Sequence, residues 1–140
     1  MPGGTVYQYA AVRALLTSKP AAFRLELDGV EWAERGWSVV VANSGWYGAG
    51  MHIVPSAEVD DGLLDVLMIR DSSRRALLAA LRQVYDGSHV GRGDVEIRRA
   101  RTVTLTADRP LPVHADGEPL ASGSATVTVR PSALRVLVRG

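Results

Sequence analysis

The sequence of 140 residues has no cysteine, which removes disulfides, zinc-thiolate sites and thiol nucleophiles, and suits an intracellular compartment. It has no apolar run near the ~20 residues of a membrane span, and its N-terminus lacks a signal-peptide pattern. No sign of charge prevails: the net value is +1 at pH 7, so electrostatics points neither to nucleic acid nor to an acidic partner. No H-x-x-x-H pair offers zinc its usual ligands, and no Gly-x-Ser-x-Gly elbow supports a Ser-His-Asp triad. No internal repeat or long linker divides the chain. The expectation is one soluble, cytoplasmic domain over residues 1–140, large enough to bury roughly two-thirds of its unfolded surface.

What is present is mostly strand and turn. Thr5 caps a helix running to Leu16, where Lys19-Pro20 stops it. From Ala22 the apolar period falls to two: Phe23, Leu25 and Leu27 alternate with charged residues, and Asp28-Gly29 makes a hairpin turn into Val30, Trp32 and Glu34. Gly36 breaks this strand, and Trp37 to Ala42 reads as another, covered on both faces. After a β-rich segment from Leu63 to Ile69, Asp71-Ser72-Ser73 offers caps for a helix of about four turns, stopped by Asp86-Gly87. Ser88 to Asp94 reads as a loop. Alternation at Val95 and Ile97, Val103 to Ala107, Ala125 to Val129 and Leu134 to Val138 adds further strands. The fold class predicted is mainly β: an antiparallel two-sheet β-sandwich carrying two helices.

Unusual chemistry gathers between Asn43 and Leu67. Gly45, Gly48 and Gly50 permit backbone angles closed to other residues, or close approach to a ligand. The turn Val59-Asp60-Asp61-Gly62-Leu63 follows, with Asp65 just beyond. Such carboxylates suit a hard cation like Mg²⁺, with carbonyls and waters completing its shell; equally, Asp-Asp-Gly is a turn in which an aspartate bonds its own backbone and Gly62 takes positive φ. Asp116-Gly117-Glu118 presents a second choice between a general base and a hairpin tip with an exposed Glu. His52 and His89 read as surface or packing residues. Arg98, Arg99 and Arg101 either meet phosphates or an anionic membrane, or protect a strand edge. Trp32 and Trp37 belong in the core, whereas Trp46 in the glycine loop is the candidate for exposure.

Taken in order, Asn43, Tyr47-Gly-Ala-Gly-Met51, Pro55-x-Ala57, Asp60-Asp-Gly-Leu-Leu-Asp-Val66, Ala107-Asp-Arg-Pro-Leu-Pro-Val113 and Ala115-Asp-Gly-Glu-Pro119 resemble the C-terminal part of the diacylglycerol kinase catalytic family, which includes bacterial lipid kinases and relatives of sphingosine kinases. The resemblance implies a C-terminal β-sandwich domain whose N-terminal, ATP-binding partner with its Gly-Gly-Asp-Gly-Thr motif is not represented here. It implies Mg²⁺ at Asp61, joined by the main-chain carbonyls of Glu58 and Leu63, and a proton acceptor at Glu118 or Asp116. It further implies ATP as co-substrate, a diacylglycerol-like lipid as acceptor, peripheral contact with a membrane, and no activity in this segment alone. Two other readings stay open: a non-catalytic lipid- or protein-binding sandwich, and a kinase for a sphingoid base or another lipid.

Overall fold

The computed structural model describes residues 13, 14, 17–47, 50–115, 118–120 and 123–138. Antiparallel pairing dominates. Strands β1 (Ala21–Leu27), β2 (Val30–Ala42), β3 (Leu64–Arg70), β4 (Val95–Ala100), β5 (Thr102–Ala107) and β8 (Ala125–Thr128) form a six-stranded sheet in the order β4-β3-β2-β1-β5-β8. Two short strands, β6 (His114–Ala115) and β7 (Glu118–Pro119), form a separate hairpin sheet. One helix, α1 (Arg74–Gln83), packs on the large sheet. The described residues thus give a mainly β domain with one large sheet, a small second one and one described helix. The helix read from Thr5 to Leu16 lies largely outside the described residues.

β2 makes the large sheet curl. Its first half pairs with β1, from Leu27↔Val30 to Ala21↔Gly36, and its second half pairs with β3. The register shifts between Gly36 and Ser38, and this bulge reverses which side chains face which way. Before it Trp32 faces the core formed with Leu25 and Val103; after it Val39 and Val41 do. Trp37 and Ala42 face the opposite side, with Leu77 of α1. Gly36 therefore does not end a strand, as its sequence setting suggested; it lets one strand bend. A Cβ there would overlap the Ile69 carbonyl oxygen and press on Met68 Sδ.

β3 is buried on both faces, from Leu64 through Ile69. Leu64, Val66 and Met68 join the concave core, while Leu67 and Ile69 meet Leu77, Val54 and Trp37 on the helix side. Completely buried side chains such as Leu25, Leu67 and Leu77 each contribute about 1.5–3 kcal/mol of transfer free energy. Ser73 is the helix cap, its Oγ accepting from the Ala76 amide at 3.1 Å. Its two neighbours serve otherwise: Ser72 Oγ accepts from Trp37 Nε1 and Asp71 pairs with Arg35. α1 is shorter than the four turns predicted, and a 3-10 turn, Ser88–Gly91, occupies the segment read as a loop. Residues 134–138, read as a strand from their alternation, form none and are exposed, Leu137 completely.

Candidate active-site loop

The segment joining β2 to β3 is fastened along its length. Tyr47 and Met51 exchange backbone hydrogen bonds at 2.9 and 3.2 Å, closing a tight loop in which Gly50 has φ +84°. A Cβ on Gly45 would lie 2.8 Å from the Val54 carbonyl oxygen. The close approach this glycine permits is therefore to the chain's own backbone. Its carbonyl accepts from the Val54 amide at 3.2 Å. Next the His52 amide donates to the Val84 carbonyl at 2.8 Å, beyond the last turn of α1. Gly87, with φ +79°, leaves room for Pro55, which a Cβ would approach to 2.9 Å. His89, buried as a packing residue, donates from Nε2 to the Ile53 carbonyl at 2.6 Å.

The acidic turn rests on this support. The Leu63 amide donates to Asp61 Oδ1 at 2.9 Å, and Gly62 takes φ +71°, so the self-bonded turn weighed from sequence is present. That bond uses one carboxylate oxygen. The other, Asp61 Oδ2, is buried with no hydrogen-bond partner among the described residues. An unsatisfied buried acceptor costs about 1–3 kcal/mol, more when charged, and a cation would remove that cost. A lone carboxylate oxygen suits Mg²⁺, which takes carboxylate, carbonyl and water oxygens, better than a transition metal. Among the described residues no group of three or more His, Asp or Glu side chains forms a metal cluster, so any ion here would rely on carbonyls and water. The side chains of Glu58 and Asp60 are exposed, and Leu63 is half-buried.

Asp65, grouped with the turn by sequence, stands apart in β3. It is 1% exposed, and its Oδ2 accepts from Ser56 Oγ at 3.1 Å and from Arg99 Nε at 3.4 Å. Arg99 also donates to the Ser56 carbonyl at 2.9 Å. Ser56, Asp65 and Arg99 thereby pin the acidic loop to β3 and β4, a role that sequence reasoning missed. The available signal was a charged residue inside an otherwise apolar strand.

The arginine cluster is dispersed. Arg98 lies over the Trp32 ring at 4.1 Å and pairs with Glu96 at 2.7 Å, Arg99 serves Asp65, and the Arg101 amide binds Asp28. β4 is an edge strand, so edge protection describes these residues better than a shared phosphate site. Glu118 begins β7, paired across from Ala115 and exposed, and its carboxylate makes no hydrogen bond or ion pair among the described residues. Asp116 lies outside the described residues. No hydrogen bond or ion pair joins Glu118 to the Asp61 turn.

A curled antiparallel sheet, one face covered by a helix, with a braced loop presenting a half-satisfied carboxylate, defines a β-rich domain. Residues 1–138 match the model of the YegS C-terminal NAD kinase beta sandwich-like domain, and the chain belongs to this family, the C-terminal domain of the YegS/diacylglycerol kinase proteins. It is 36% identical over 138 residues to a protein named diacylglycerol kinase from Mycobacterium tuberculosis, covering 97% of this chain and 44% of that protein. It is 30% identical to a protein named "probable lipid kinase YegS-like" from Pseudomonas fluorescens, covering 96% and 44% respectively. A crystal structure of a diacylglycerol kinase from Bacillus anthracis str. Sterne superimposes with a TM-score of 0.59 at 18% identity, covering 94% of this chain and 48% of that one; at that identity it speaks for the fold. The chain spans under half the length of these relatives. Among the described residues no helix is long and apolar enough to cross a membrane.

Proposed function

We propose that this chain is the C-terminal domain of an ATP- and Mg²⁺-dependent lipid kinase that acts in the cytoplasm and transfers the γ-phosphate of ATP to a lipid hydroxyl, with diacylglycerol as acceptor. The observation that carries the reading is the buried Oδ2 of Asp61, unpartnered among the described residues, in a loop fastened by hydrogen bonds on both sides. Family membership and the names of the relatives support the class of reaction.

In this reading Asp61 would hold the ion with the Glu58 and Leu63 carbonyls. The ion's contribution when bound is to neutralise phosphate charge. The chain's own part is preorganisation. The Leu63 amide fixes the carboxylate's direction, and the Ser56–Asp65–Arg99 set fixes the loop's height above the sheet. Both limit the reorganisation needed during transfer. Glu118, exposed on its hairpin, takes the proton from the lipid hydroxyl as that oxygen bonds to the γ-phosphorus and the bond to ADP breaks; Asp116 is the alternative acceptor. The nucleotide would be held by the portion of the full-length protein outside this chain, and the β6–β7 hairpin would begin the second layer of a sandwich.

The test is phosphorylation of diacylglycerol by the full-length protein with ATP and Mg²⁺. Glu118→Gln should lower kcat by about 10²–10⁴-fold. If both Glu118→Gln and Asp116→Asn kept wild-type kcat, this hairpin would have no catalytic part.

A further inference from the structure

The outward side of α1 is unusual for a helix whose task is to cover a sheet. Leu77 and Ala80 face inward and are completely buried. The opposite row is Arg75, Leu78, Arg82 and, two residues past the end of the helix, Tyr85, at the three- and four-residue spacing of a single face. Leu78 is 44% and Tyr85 52% exposed, and with Leu81 and Arg82 they line an open groove of about 280 Å³.

The charge on this face is not compensated. Arg74–Gln83 contains no acid, and the flanking carboxylates are engaged elsewhere, Asp71 by Arg35 and Asp86 by Ser88. The side chains of Arg75 and Arg82 have no ion pair or hydrogen bond among the described residues. A further aromatic stands at the C-terminal end of the helix. Trp46, 61% exposed, stacks on the His52 ring at 4.0 Å, and the His52 amide is bonded to the Val84 carbonyl.

We propose that this face is a docking surface for an anionic phospholipid bilayer, with Arg75 and Arg82 against lipid phosphates and Leu78, Tyr85 and Trp46 at headgroup depth. Aromatic rings with one polar end favour that depth. Cations within a Debye length of an anionic leaflet gain from its surface potential, and a basic helix with exposed apolar residues meets both conditions. A protein partner fits less well, because a few side chains on one short helix fall far below the ~1,200 Å² that a specific protein interface buries. A fluid bilayer sets no such minimum. The inference does not depend on the proposed kinase chemistry.

The test is co-sedimentation of the chain with vesicles of phosphatidylcholine alone and of phosphatidylcholine mixed with phosphatidylglycerol. Binding is expected for the mixed vesicles only, and should weaken with salt. It should fall by about tenfold or more in the Arg75→Glu/Arg82→Glu variant, whose exposed substitutions leave the circular dichroism spectrum unchanged. Lipids brominated on their acyl chains should quench the fluorescence of Trp46 and spare the buried Trp32 and Trp37. Equal binding by the variant, equal binding to neutral vesicles, or no binding at low salt would overturn the proposal. So would concentration-dependent self-association that the same variant abolishes without any vesicle binding, which would make this face an interface between proteins.

Discussion

Arg99 on β4 stands directly across from Asp65 on β3, its Nε 3.4 Å from the Asp65 Oδ2, and the two differ sharply in exposure, at 45% for the arginine side chain and 1% for the aspartate. The pair is a buried carboxylate held by a cation at the sheet edge. Removing the cation leaves the carboxylate buried with only Ser56 as partner. Arg99→Met should therefore destabilise the domain by about 2 kcal/mol or more, read from urea denaturation. Asp65→Asn combined with Arg99→Met should cost less than the two single changes added together, because the pair acts as a unit.

Gly36 governs the curl of the sheet. Gly36→Ala places a methyl group against the Ile69 carbonyl and Met68 Sδ, neither of which retreats without opening the β2–β3 pairing. The expected loss is about 1–3 kcal/mol, seen as a lower denaturation midpoint. Gly93, where an added Cβ meets nothing, supplies the control: Gly93→Ala should leave the midpoint nearly unchanged.

Asp28 ties two turns together. Its carboxylate accepts from the Arg101 amide at 3.0 and 3.1 Å and from the Thr102 amide at 2.8 Å, and these amides, Arg101 first, hold its pKa below the ordinary 3.8. A carboxyl group whose folded pKa is depressed contributes stability that is complete above the unfolded value and is lost as pH falls through the folded one. Acidification below about pH 4 should thus weaken the wild-type protein, and Asp28→Asn should flatten that part of the stability profile. An identical pH profile in the variant would assign the acid sensitivity to other groups.

The apolar tail carries its own expectation. Leu134, Val136, Leu137 and Val138 are all at least 77% exposed, so they contribute little to the folded state of this chain. Deleting residues 134–140 should leave Tm unchanged while reducing self-association in sedimentation velocity. A large fall in Tm would show that the tail packs on the domain.

How far this molecule was legible from its sequence follows from the range of the interactions involved. The β1–β2 hairpin and the start of α1 were readable because Asp28-Gly29 and Ser73 act within a few residues. The bulge at Gly36 was not, since apolar alternation on either side describes two strands as well as one bent strand. Residues 134–138 alternate as a strand should, yet a strand also needs an edge to pair with, and pairing is non-local. Asp65 was assigned to the metal turn by proximity in sequence, although side chains alternate along β3 and its partner Arg99 comes from the next strand. The Asp61 turn was visible from Asp-Gly spacing. The orphaned Oδ2 depends on how residues around it bury the carboxylate, which spacing alone does not encode.

The proposed role of Asp61 as a cation ligand is open to direct measurement. Asp61→Asn separates charge from shape, because an amide oxygen still accepts from the Leu63 amide and preserves the turn, while the anionic oxygen is lost. Paramagnetic broadening of backbone amide resonances by Mn²⁺, with excess Mg²⁺ as competitor, reads the site residue by residue. Broadening should centre on Gly62 and Leu63, be reversed by Mg²⁺ and be abolished by Asp61→Asn. Broadening that is absent, centred elsewhere, or unchanged in Asp61→Asn would contradict that role.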